Sequence, residues 1–460
     1  MLPLSPDLEK IVRELDAAGY RALIAGGAVR DALLGLDPKD FDIEVYGISY
    51  DQLAAALSKY GRVDLVGKSF GVVKFAGHDF SVPRRDSKTG VHHRDFLSEF
   101  DPSITPREAA SRRDFTINAM ACDPISGAIL DFFGGREDLK NHILRATSAA
   151  FCEDPLRVLR GMQFACRFDL RLDPETAKMA QAISNQYHTI ARERVAEEFT
   201  KWALKSTKPG LIGPFLHDCA WISHFPEIER LRGVPQEPEW HPEGDVWIHT
   251  MHVLNAAARV AERDHVEGGD REVLMFAALT HDFAKADVTQ LRQRDGRLRW
   301  SSYGHEEAGV PLARRFLERI GIRNSIIEQV LPLVEEHMAH TNMKGNVTER
   351  AVRRLAKRLQ PSNITALLRL IEADASGRPP KPPGLPESAQ KLRDVAAALA
   401  VAEKPQPPLI LGRHVLPYFG GKPGKEIGEV TRAAYEAQMD GAFSDEAGAL
   451  AWLEKYLHAS

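Results

Sequence analysis

The 460-residue sequence has few cysteines, no long apolar run and little excess charge of either sign. Its four cysteines (Cys122, Cys152, Cys166 and Cys219) are irregularly spaced and form no C-x-x-C pair, which argues against a disulfide framework and a thiolate zinc site. No window approaches the roughly 18 consecutive apolar residues that a membrane helix requires, and the first residues lack the cationic flank of a targeting segment. We therefore expect a cytoplasmic protein with no membrane partner, whose oligomeric state is left open.

The charge balance sets a further limit on function. The formal net charge is −4, and hydrophobic and charged residues make up 43% and 27% of the chain, as in ordinary globular proteins. The chain therefore lacks the overall basic character of a non-specific nucleic-acid binder, although a local basic groove remains compatible with RNA.

Patterning along the chain predicts several domains, since 460 residues exceed what one core usually organises. Short β-type runs such as RALIA and FDIEVY occur up to about residue 145, and helical spacing dominates afterwards. Proline-rich stretches at 232–245 and 377–386 are interpreted as linkers. We predict a multidomain α+β protein with a mixed-sheet head at 1–145, an all-α neck and body at 146–232, an all-α domain at 243–378 and a helical tail at 387–460.

The stretch ALIAGGAVRDALLG, which starts at residue 22, contains a glycine turn between an apolar strand and a helix. A strand that ends in Gly26 and Gly27 lets backbone amides approach an anion closely, and Arg30 follows nearby. The pattern predicts a phosphate-binding turn.

Two carboxylates follow on the next predicted strand. Because side chains two residues apart share a face of a strand, Asp40 and Asp42 are expected to point the same way and Phe41 toward the core. Carboxylates this close favour a divalent cation, which predicts Mg²⁺ and phosphoryl or nucleotidyl transfer.

Further motifs extend this pattern in chain order: RRDFTINAMA at 112–121, FFGGREDL at 132–139, EDPLRVLR at 153–160 and ERVAEEF at 193–199. Together with GGAVRDALLG and DFDIEV they resemble the class II tRNA nucleotidyltransferases, that is, the CCA-adding enzymes and bacterial poly(A) polymerases of the DNA polymerase beta-like superfamily. The resemblance implies a polymerase-beta-like head that adds C, C and A to the tRNA 3′ end from CTP and ATP without a nucleic-acid template. It implies that Asp40 and Asp42 bind the catalytic metals, with Asp79 as a third candidate carboxylate. It assigns Arg113, Asp114, Asn118, Asp154 and Arg157 to the nucleotide. The predicted nucleotide-binding residues are these five together with Gly26, Gly27 and Arg30 of the glycine turn and with Arg160.

The segment EDPLRVLR has both a structural and a functional interpretation. Structurally, Asp154 caps a helix and Pro155 occupies its first turn. Functionally, cytosine and adenine both present an amino donor beside a ring-nitrogen acceptor, which the acceptor-only Asp154 and the donor-only Arg157 match. The resemblance assigns the two residues to that base-reading role and leaves Arg160, one turn further, to contact phosphate.

The polar segment 84–111 is long for a connection inside a compact head. Relatives that add only C have a shortened loop at this place, so its length argues against a C-only enzyme. His92 and His93 within it are expected to be solvated loop residues rather than metal ligands. Two alternatives stay open, namely an enzyme restricted to A addition or poly(A) synthesis, and a non-catalytic RNA-binding protein.

A second constellation occupies the helical half, in WIHTMHVL, LTHDFAKA, GHEEAG, EEHMAH and EADASGR. It resembles the HD phosphohydrolase superfamily, which implies metal-dependent hydrolysis of phosphoesters such as 2′,3′-cyclic phosphates, with Lys285 as a phosphate contact. Imidazole and carboxylate suit Ni, Mn, Fe or Mg, so the metal is not specified. The ligands implied for one or two divalent metals are His249, His281, Asp282, His305, His337 and Asp374.

Overall fold

The computed structural model describes residues 2, 4–38, 41–67, 71–88, 96–343 and 346–459, with backbone only for 65–67, 84–88, 96–100 and 459. The predicted site residue Asp40 and the loop residues His92 and His93 lie outside these ranges. The chain divides into two compact units, Met1–Pro226 and Glu227–Ser460. Among the described residues, no helix is long and apolar enough to cross a membrane.

The first unit contains a mixed seven-stranded sheet in the order β3-β4-β5-β2-β1-β8-β9. All neighbouring pairs are antiparallel except β2 and β5, which run parallel. A separate antiparallel pair, β6–β7, lies in the segment 84–111 that the sequence predicts to be a long loop. The strands are β1 (Arg21–Ala25), β2 (Asp42–Tyr46), β3 (Asp64–Gly67), β4 (Val72–Phe75), β5 (His78–Ser81), β6 (Arg84–Lys88), β7 (Phe96–Phe100), β8 (Ala121–Cys122) and β9 (Ile129–Leu130).

Helices cover this sheet and continue beyond it to the end of the unit. The first helix shows why they form, because Ser5 caps it, Pro6 opens it and its apolar residues recur on one face that is buried. Two short parallel strands, β10 (Ile143–Leu144) and β11 (Arg171–Leu172), lie among the later helices. The helices are α1 (Pro6–Ala17), α2 (Gly27–Leu33), α3 (Tyr50–Ser58), α4 (Pro106–Ser111), α5 (Gly135–Lys140), α6 (Leu156–Phe168), α7 (Pro174–Ala182), α8 (Arg192–Lys205) and α9 (Ile212–Asp218), and α10 (Pro226–Glu229) begins at the last residue of the unit.

The close approach of α5 to the turn Thr116–Asn118 predicts a stability effect. A Cβ added at Gly135 would lie 2.2 Å from the Thr116 carbonyl oxygen, which is backbone and cannot rotate away. We expect Gly135→Ala to lower the free energy of unfolding by about 1–3 kcal/mol, measured as a lower melting temperature, because the helix must shift. Gly428→Ala is the control: a Cβ there meets nothing within 4 Å, and alanine favours a helix interior. Equal melting temperatures for the two variants would contradict the packing argument.

The second unit is mainly helical. Its helices are α11 (Val246–Arg263), α12 (Gly268–Thr280), α13 (Lys285–Val288), α14 (His305–Arg319), α15 (Asn324–Glu336), α16 (Ala339–Asn342), α17 (Glu349–Arg358), α18 (Ile364–Ser376), α19 (Glu387–Ala398), α20 (Gly412–Val415), α21 (Lys425–Met439) and α22 (Glu446–Ala459). A small separate core in the C-terminal part includes Val415, Val430, Phe443 and Leu453. Lys357 on α17 donates to Glu436 on α21 at 2.5 Å, which ties this part to the preceding helices.

Two features of this unit differ from the sequence-based expectation. The all-α segment 243–378 contains an antiparallel hairpin of β12 (Gln290–Arg294) and β13 (Arg297–Ser301). Asp295 and Gly296 connect the strands with positive φ values of 50° and 76°, as the favoured two-residue hairpin turn requires. The segment 232–245, interpreted as a linker, instead packs on the helices, since its Glu243 side chain is fully buried against His249.

Candidate functional site

A cleft of about 480 Å³ in the first unit brings together residues that lie far apart in the sequence. Its five arginines outnumber its three aspartates, so the cleft suits a polyanion. Among the described residues predicted for nucleotidyl transfer, only Gly26 and Asp79 do not line it, and Gly26 adjoins it in the chain. Asp40 lies outside the described residues. The lining residues are Gly27, Arg30, Asp42, Arg113, Asp114, Asn118, Asp154, Leu156, Arg157, Arg160, Phe164 and Arg194.

The predicted glycine turn joins β1 to α2. Gly26 has a φ of 72°, which favours glycine, and a Cβ there would lie 2.4 Å from Nη1 of Arg113. Its N–H donates to the Met120 carbonyl at 3.0 Å. The turn therefore places backbone and an arginine side chain in direct contact at the edge of the cleft.

Arg30 is held in the cleft from two sides. Its Nη2 contacts Oδ1 of Asp31 at 2.6 Å, and its Nη1 donates to the side-chain oxygen of Asn118. The guanidinium carbon lies 4.5 Å from the ring centre of Phe168, in cation–π geometry. Arg30 is buried and pre-oriented.

Asp114 is a buried carboxylate that organises several side chains of the cleft. It accepts hydrogen bonds from Nδ2 of Asn118 at 3.0 Å, from Nε of Arg160 at 2.9 Å and from the N–H of Phe115 at 2.8 Å. Burial alone would raise the pKa of Asp114, but Arg160 and these hydrogen bonds outweigh it and lower the pKa. Asp114 is thus an ionised acceptor that orients a cation and an amide of the cleft.

Arg113 depends on a residue that the sequence analysis did not single out. Its Nη2 donates to Oε1 of Glu44 at 2.7 Å, and Tyr46 donates to the other Glu44 oxygen at 2.6 Å. Burial would raise the pKa of Glu44, but the charge of Arg113 and these hydrogen bonds lower it. Glu44 follows Asp42 by two residues on β2 and therefore shares its face, which is the one sequence signal for it.

Asp42 and Asp79 are direct register partners on the parallel strands β2 and β5. Paired residues of neighbouring strands point to the same face, so the two carboxylates are adjacent. Oδ1 of Asp79 also contacts Nζ of Lys74 at 2.9 Å, which partly neutralises the pair. Phe41 is buried in the core, as the strand pattern predicts.

Asp154 and Arg157 both line the cleft but do not pair with each other. Oδ1 of Asp154 accepts the N–H of Leu156, the first residue of α6, at 3.0 Å and so caps the helix as predicted, although Pro155 directly precedes the helix instead of lying in its first turn. Oδ2 of Asp154 contacts Nη2 of Arg194 at 2.8 Å. Arg157 donates to the carbonyl of Ala150 at 2.6 Å and to the carbonyl of Arg112, at the end of α4, at 2.8 Å. Arg194, in the motif ERVAEEF, is a cleft residue to which the sequence analysis gave no role.

The second unit holds three groups of possible metal ligands, with the ligand atoms of each group within 4.8 Å of one another. One is His241, Glu243 and His249, and the other two contain the predicted ligands. Asp282 lies between them: its Oδ2 is 3.2 Å from Nε2 of His281, and its Oδ1 is 3.2 Å from Nε2 of His305. These two groups are His249, His281 and Asp374, and Asp282, His305 and His337. The structure therefore brings together all six predicted ligands of this centre.

The histidine tautomers explain what this centre requires. Nδ1 of His281, of His305 and of His337 lies 2.9, 2.8 and 2.6 Å from the carbonyl oxygens of Ala278, Ser302 and Val334. Carbonyls only accept, so each Nδ1 carries a proton, and in the neutral imidazole each Nε2 presents a lone pair. The Nε2 atoms of His305 and His337 are only 3.0 Å apart, so either a proton on Nε2 of His305 or a bound cation must lie between them. Such a donor set fits a divalent metal.

His249 also lies between two hydrogen-bonding partners. Its Nδ1 lies 2.8 Å from the buried Glu243 carboxylate and its Nε2 lies 3.0 Å from Oδ1 of Asp374. If Nδ1 donates to Glu243, Nε2 faces a carboxylate oxygen and requires either a proton or a cation there. Burial would lower the pKa of His249, but Asp374 and Glu243 raise it. Neither oxygen of Asp282 makes a well-aligned hydrogen bond within the described part of the chain, although both are buried.

The electrostatics favour positive charge at this centre. Burial would raise the pKa of Asp282, but His281 and Lys285 hold it well below its usual range. Burial would lower the pKa of His305, yet Asp282 and Glu306 raise it to about 9. Burial, with His305 nearby, lowers the pKa of His337 to about 3, so that imidazole stays neutral and able to ligate.

Lys285 lies at the edge of the metal centre, as its predicted role as a phosphate contact requires. Its Nζ is 2.8 Å from Oδ2 of Asp282 and donates to the side-chain oxygen of Gln236 at 3.0 Å. Gln236 and Glu243 both belong to the segment that the sequence analysis interpreted as a linker.

Two family descriptions match the chain: a Poly A polymerase head domain at residues 22–145 and an HD domain at residues 246–376. A multifunctional CCA protein of Xanthomonas campestris pv. campestris (strain B100) is 35% identical over 392 residues, which cover 82% of this chain and 90% of that protein. One from Actinobacillus pleuropneumoniae serotype 5b (strain L20) is 35% identical over 367 residues, which cover 77% of this chain and 85% of that protein.

Solved structures resemble the whole chain in fold. The CCA-adding enzyme of Bacillus stearothermophilus in complex with CTP aligns with a TM-score of 0.66 at 20% identity and covers 99% of both chains. The Thermotoga maritima enzyme complexed with tRNA aligns with a TM-score of 0.59 at 20% identity, over 99% of this chain and 96% of that one. Together with the two matched domains, these similarities confirm the fold class predicted from the sequence.

Proposed function

This chain belongs to the family of the multifunctional CCA proteins, and from that premise we propose that it adds C, C and A to the tRNA 3′ end from CTP and ATP, with a second, phosphohydrolase activity in its HD domain. The observation that carries the first activity is the arginine-rich cleft with Asp42 at its edge. Residues from five separate motifs converge there, and their net positive charge suits a nucleoside triphosphate.

In the proposed reaction the 3′ hydroxyl of tRNA attacks the α-phosphorus of CTP or ATP, a new P–O bond forms and pyrophosphate leaves. Arg30, Arg113 and Arg160 are already oriented by Asp31, Glu44 and Asp114, so they bind the triphosphate without reordering. Adjacent carboxylates at Asp42 and Asp79 fit Mg²⁺, with Asp40 as the further proposed ligand. Mg²⁺ bound there supplies charge neutralisation and alignment of the reacting oxygens, as in two-metal nucleotidyl transfer.

The direct test uses purified protein and three tRNA substrates that end before the CCA, after its first C and after CC. CTP and ATP are supplied singly and together. A CCA-adding enzyme extends the first substrate to full CCA only with both nucleotides and completes the third with ATP alone. Extension of the third substrate alone would instead indicate an A-adding enzyme, and no extension of any would favour the non-catalytic alternative.

Base choice gives a sharper prediction at Asp154. Asp154→Ala removes the proposed acceptor for the amino group of C and A and leaves the backbone-held donor Arg157 in place, while Arg194 loses its ion-pair partner. A bidentate base contact is worth about 1–3 kcal/mol of discrimination, so misincorporation of UTP and GTP relative to CTP and ATP should rise roughly tenfold or more. The measurement is the relative incorporation of all four nucleotides.

The same substitution also removes a helix cap, which costs about 1 kcal/mol of stability. Ser49→Ala is the matched control, because Ser49 caps α3 through the Gln52 N–H and does not line the cleft. A lower melting temperature in both variants, with altered base preference only in Asp154→Ala, supports the base-reading role. An unchanged base preference in Asp154→Ala would show that Asp154 only caps the helix.

The proposed hydrolase activity rests on the lone pairs that converge around Asp282. One or two divalent metals would be held by His249, His281 and Asp374 on one side and by His305 and His337 on the other, with Asp282 between. Such metals polarise a phosphoester and activate water. The reaction is attack of water on phosphorus with cleavage of one P–O bond, which opens a 2′,3′-cyclic phosphate to a monoester. Lys285 would contact a phosphate oxygen.

A further inference from the structure

The hairpin β12–β13 carries an unusual concentration of arginine on one face. Arg292 pairs directly with Arg299, and Arg294 pairs with Arg297, in the antiparallel register. Directly paired residues point to the same side, and residues two apart on one strand do as well, so all four guanidinium groups belong to one face. We call these four residues the arginine face.

This arrangement has no structural benefit for the hairpin. Like charges directly opposite each other destabilise a strand pair, and here both arginine pairs are of that kind. Glu237 and Glu239 neutralise Arg299. Within the part of the chain that the structure describes, Arg292, Arg294 and Arg297 form no ion pair. The face therefore has a surplus of positive charge that an external anion would balance.

Aromatic rings lie beside these arginines. Arg294 and Arg299 lie 5.4 and 5.6 Å from the ring centre of Trp240, and Arg292 lies 5.9 Å from that of Tyr303. Tyr303 is 81% exposed and Trp240 is 37% exposed. Cationic side chains interleaved with exposed rings are the combination that binds single-stranded nucleic acid, since phosphates contact the cations and unpaired bases stack on the rings.

The arginine face is connected to the metal centre by short, direct contacts. Ser302, one residue after β13, accepts from the ligand His305 at 2.8 Å. The N–H of Trp300 donates to Glu237 at 3.1 Å, and the neighbouring Gln236 contacts Lys285, which contacts Asp282. A strand bound on the hairpin would thus end close to the metal ligands.

We propose that the arginine face binds the phosphates of a single-stranded RNA segment whose 3′ end enters the metal centre, so that the HD domain acts on phosphoesters at RNA ends in preference to small phosphodiesters. This inference rests on the hydrolase activity proposed above and names the class of substrate for it. Trp240 and Tyr303 provide stacking positions for the bases of that segment.

The test compares the full-length protein with a triple variant, Arg292→Gln, Arg294→Gln and Arg297→Gln. The substrates are an octaribonucleotide with a 2′,3′-cyclic phosphate end and bis(p-nitrophenyl) phosphate. We expect KM for the octamer to rise roughly tenfold or more with kcat nearly unchanged, because the lost contacts bind substrate and transition state equally. Hydrolysis of the small diester should not change. The salt dependence of KM for the octamer should weaken by roughly two units of log–log slope, at about 0.7 per phosphate contact.

The control variant removes three exposed cations elsewhere in the same unit, Lys391→Gln, Arg393→Gln and Lys404→Gln. It should behave as the wild type with both substrates. Equal KM values and salt slopes in the wild type and the arginine-face variant would overturn the inference.

One further outcome would contradict the proposed hydrolase activity without contradicting RNA binding by the arginine face. If the wild type cleaves neither substrate with Ni²⁺, Mn²⁺ or Mg²⁺, crosslinking of a 4-thiouridine octamer tests the face by itself. A crosslink in the peptide 290–303 that the triple variant loses would support RNA binding there. Absence of that crosslink in the wild type would overturn it.

Discussion

Replacement of Asp42 by alanine is expected to reduce CTP and ATP incorporation by about a thousandfold or more, because loss of a metal ligand removes several kcal/mol of transition-state stabilisation. Asp42 is exposed at the first position of β2, beside the carboxylate of Asp79. Removing one of two adjacent like charges relieves repulsion, so the melting temperature should stay the same or rise. Steady-state incorporation into tRNA lacking CCA, together with thermal unfolding, measures both effects.

Asp16→Ala is the matched control for this experiment. Asp16 is an exposed carboxylate on α1 in the same unit and does not line the cleft, so incorporation should be unaffected. Hydrolysis by the HD domain should persist in both variants. Undiminished incorporation by Asp42→Ala would refute the assignment of Asp42 as a metal ligand.

The sequence predicted the residues of a short motif better than the distant residues that hold their side chains in place. Gly27, Asp42, Asn118 and Arg160 could be named because each stands in a pattern with its own physical reason, and the cleft brings them together. Glu44 illustrates the limit: its partner Arg113 lies 69 positions away, and no local pattern reports such a pair. Whether these residues act on the nucleotide stays a prediction.

Asp154 shows a second limit, because one residue satisfies two explanations at once. It caps α6 as the structural interpretation requires, and it also lies in the cleft as the functional one requires. Arg194, which contacts it from α8, lies 40 positions later in the chain. Only the fold shows that these two residues are neighbours. The geometry is compatible with both the capping role and the base-reading role, so the Asp154→Ala measurement decides between them.

In the helical half the six predicted ligands lie together, although metal binding by them stays a prediction, and the connections were predicted less well. The hairpin turn Asp295-Gly296 is a strong local signal that the surrounding helical spacing obscured. The proline-rich segment 232–245 was interpreted as a linker because proline ends helices and its composition is polar. Its buried Glu243 contacts His249, a predicted metal ligand, so composition alone was misleading there.

Replacement of Asp282 by asparagine is expected to abolish metal-dependent hydrolysis of bis(p-nitrophenyl) phosphate, by about a thousandfold or more. Asp282 faces both ligand groups, with oxygens 3.2 Å from Nε2 of His281 and from Nε2 of His305. Asparagine keeps the size but removes the charge that balances the site. Metal content measured by mass spectrometry should therefore fall together with hydrolysis, while CTP and ATP incorporation should stay within about twofold.

Asp287→Asn is the control, because Asp287 is a neighbouring carboxylate that pairs with Arg230 and belongs to neither ligand group. It should keep both metal and hydrolysis. The Asp282 variant leaves the buried Lys285 without its carboxylate partner, so a lower melting temperature is expected. Incorporation of CTP and ATP by the same preparation shows whether the fold persists. Retained hydrolysis with wild-type metal content would exclude Asp282 as the ligand shared by the two groups, and loss of both activities in a folded variant would show that they are not separable.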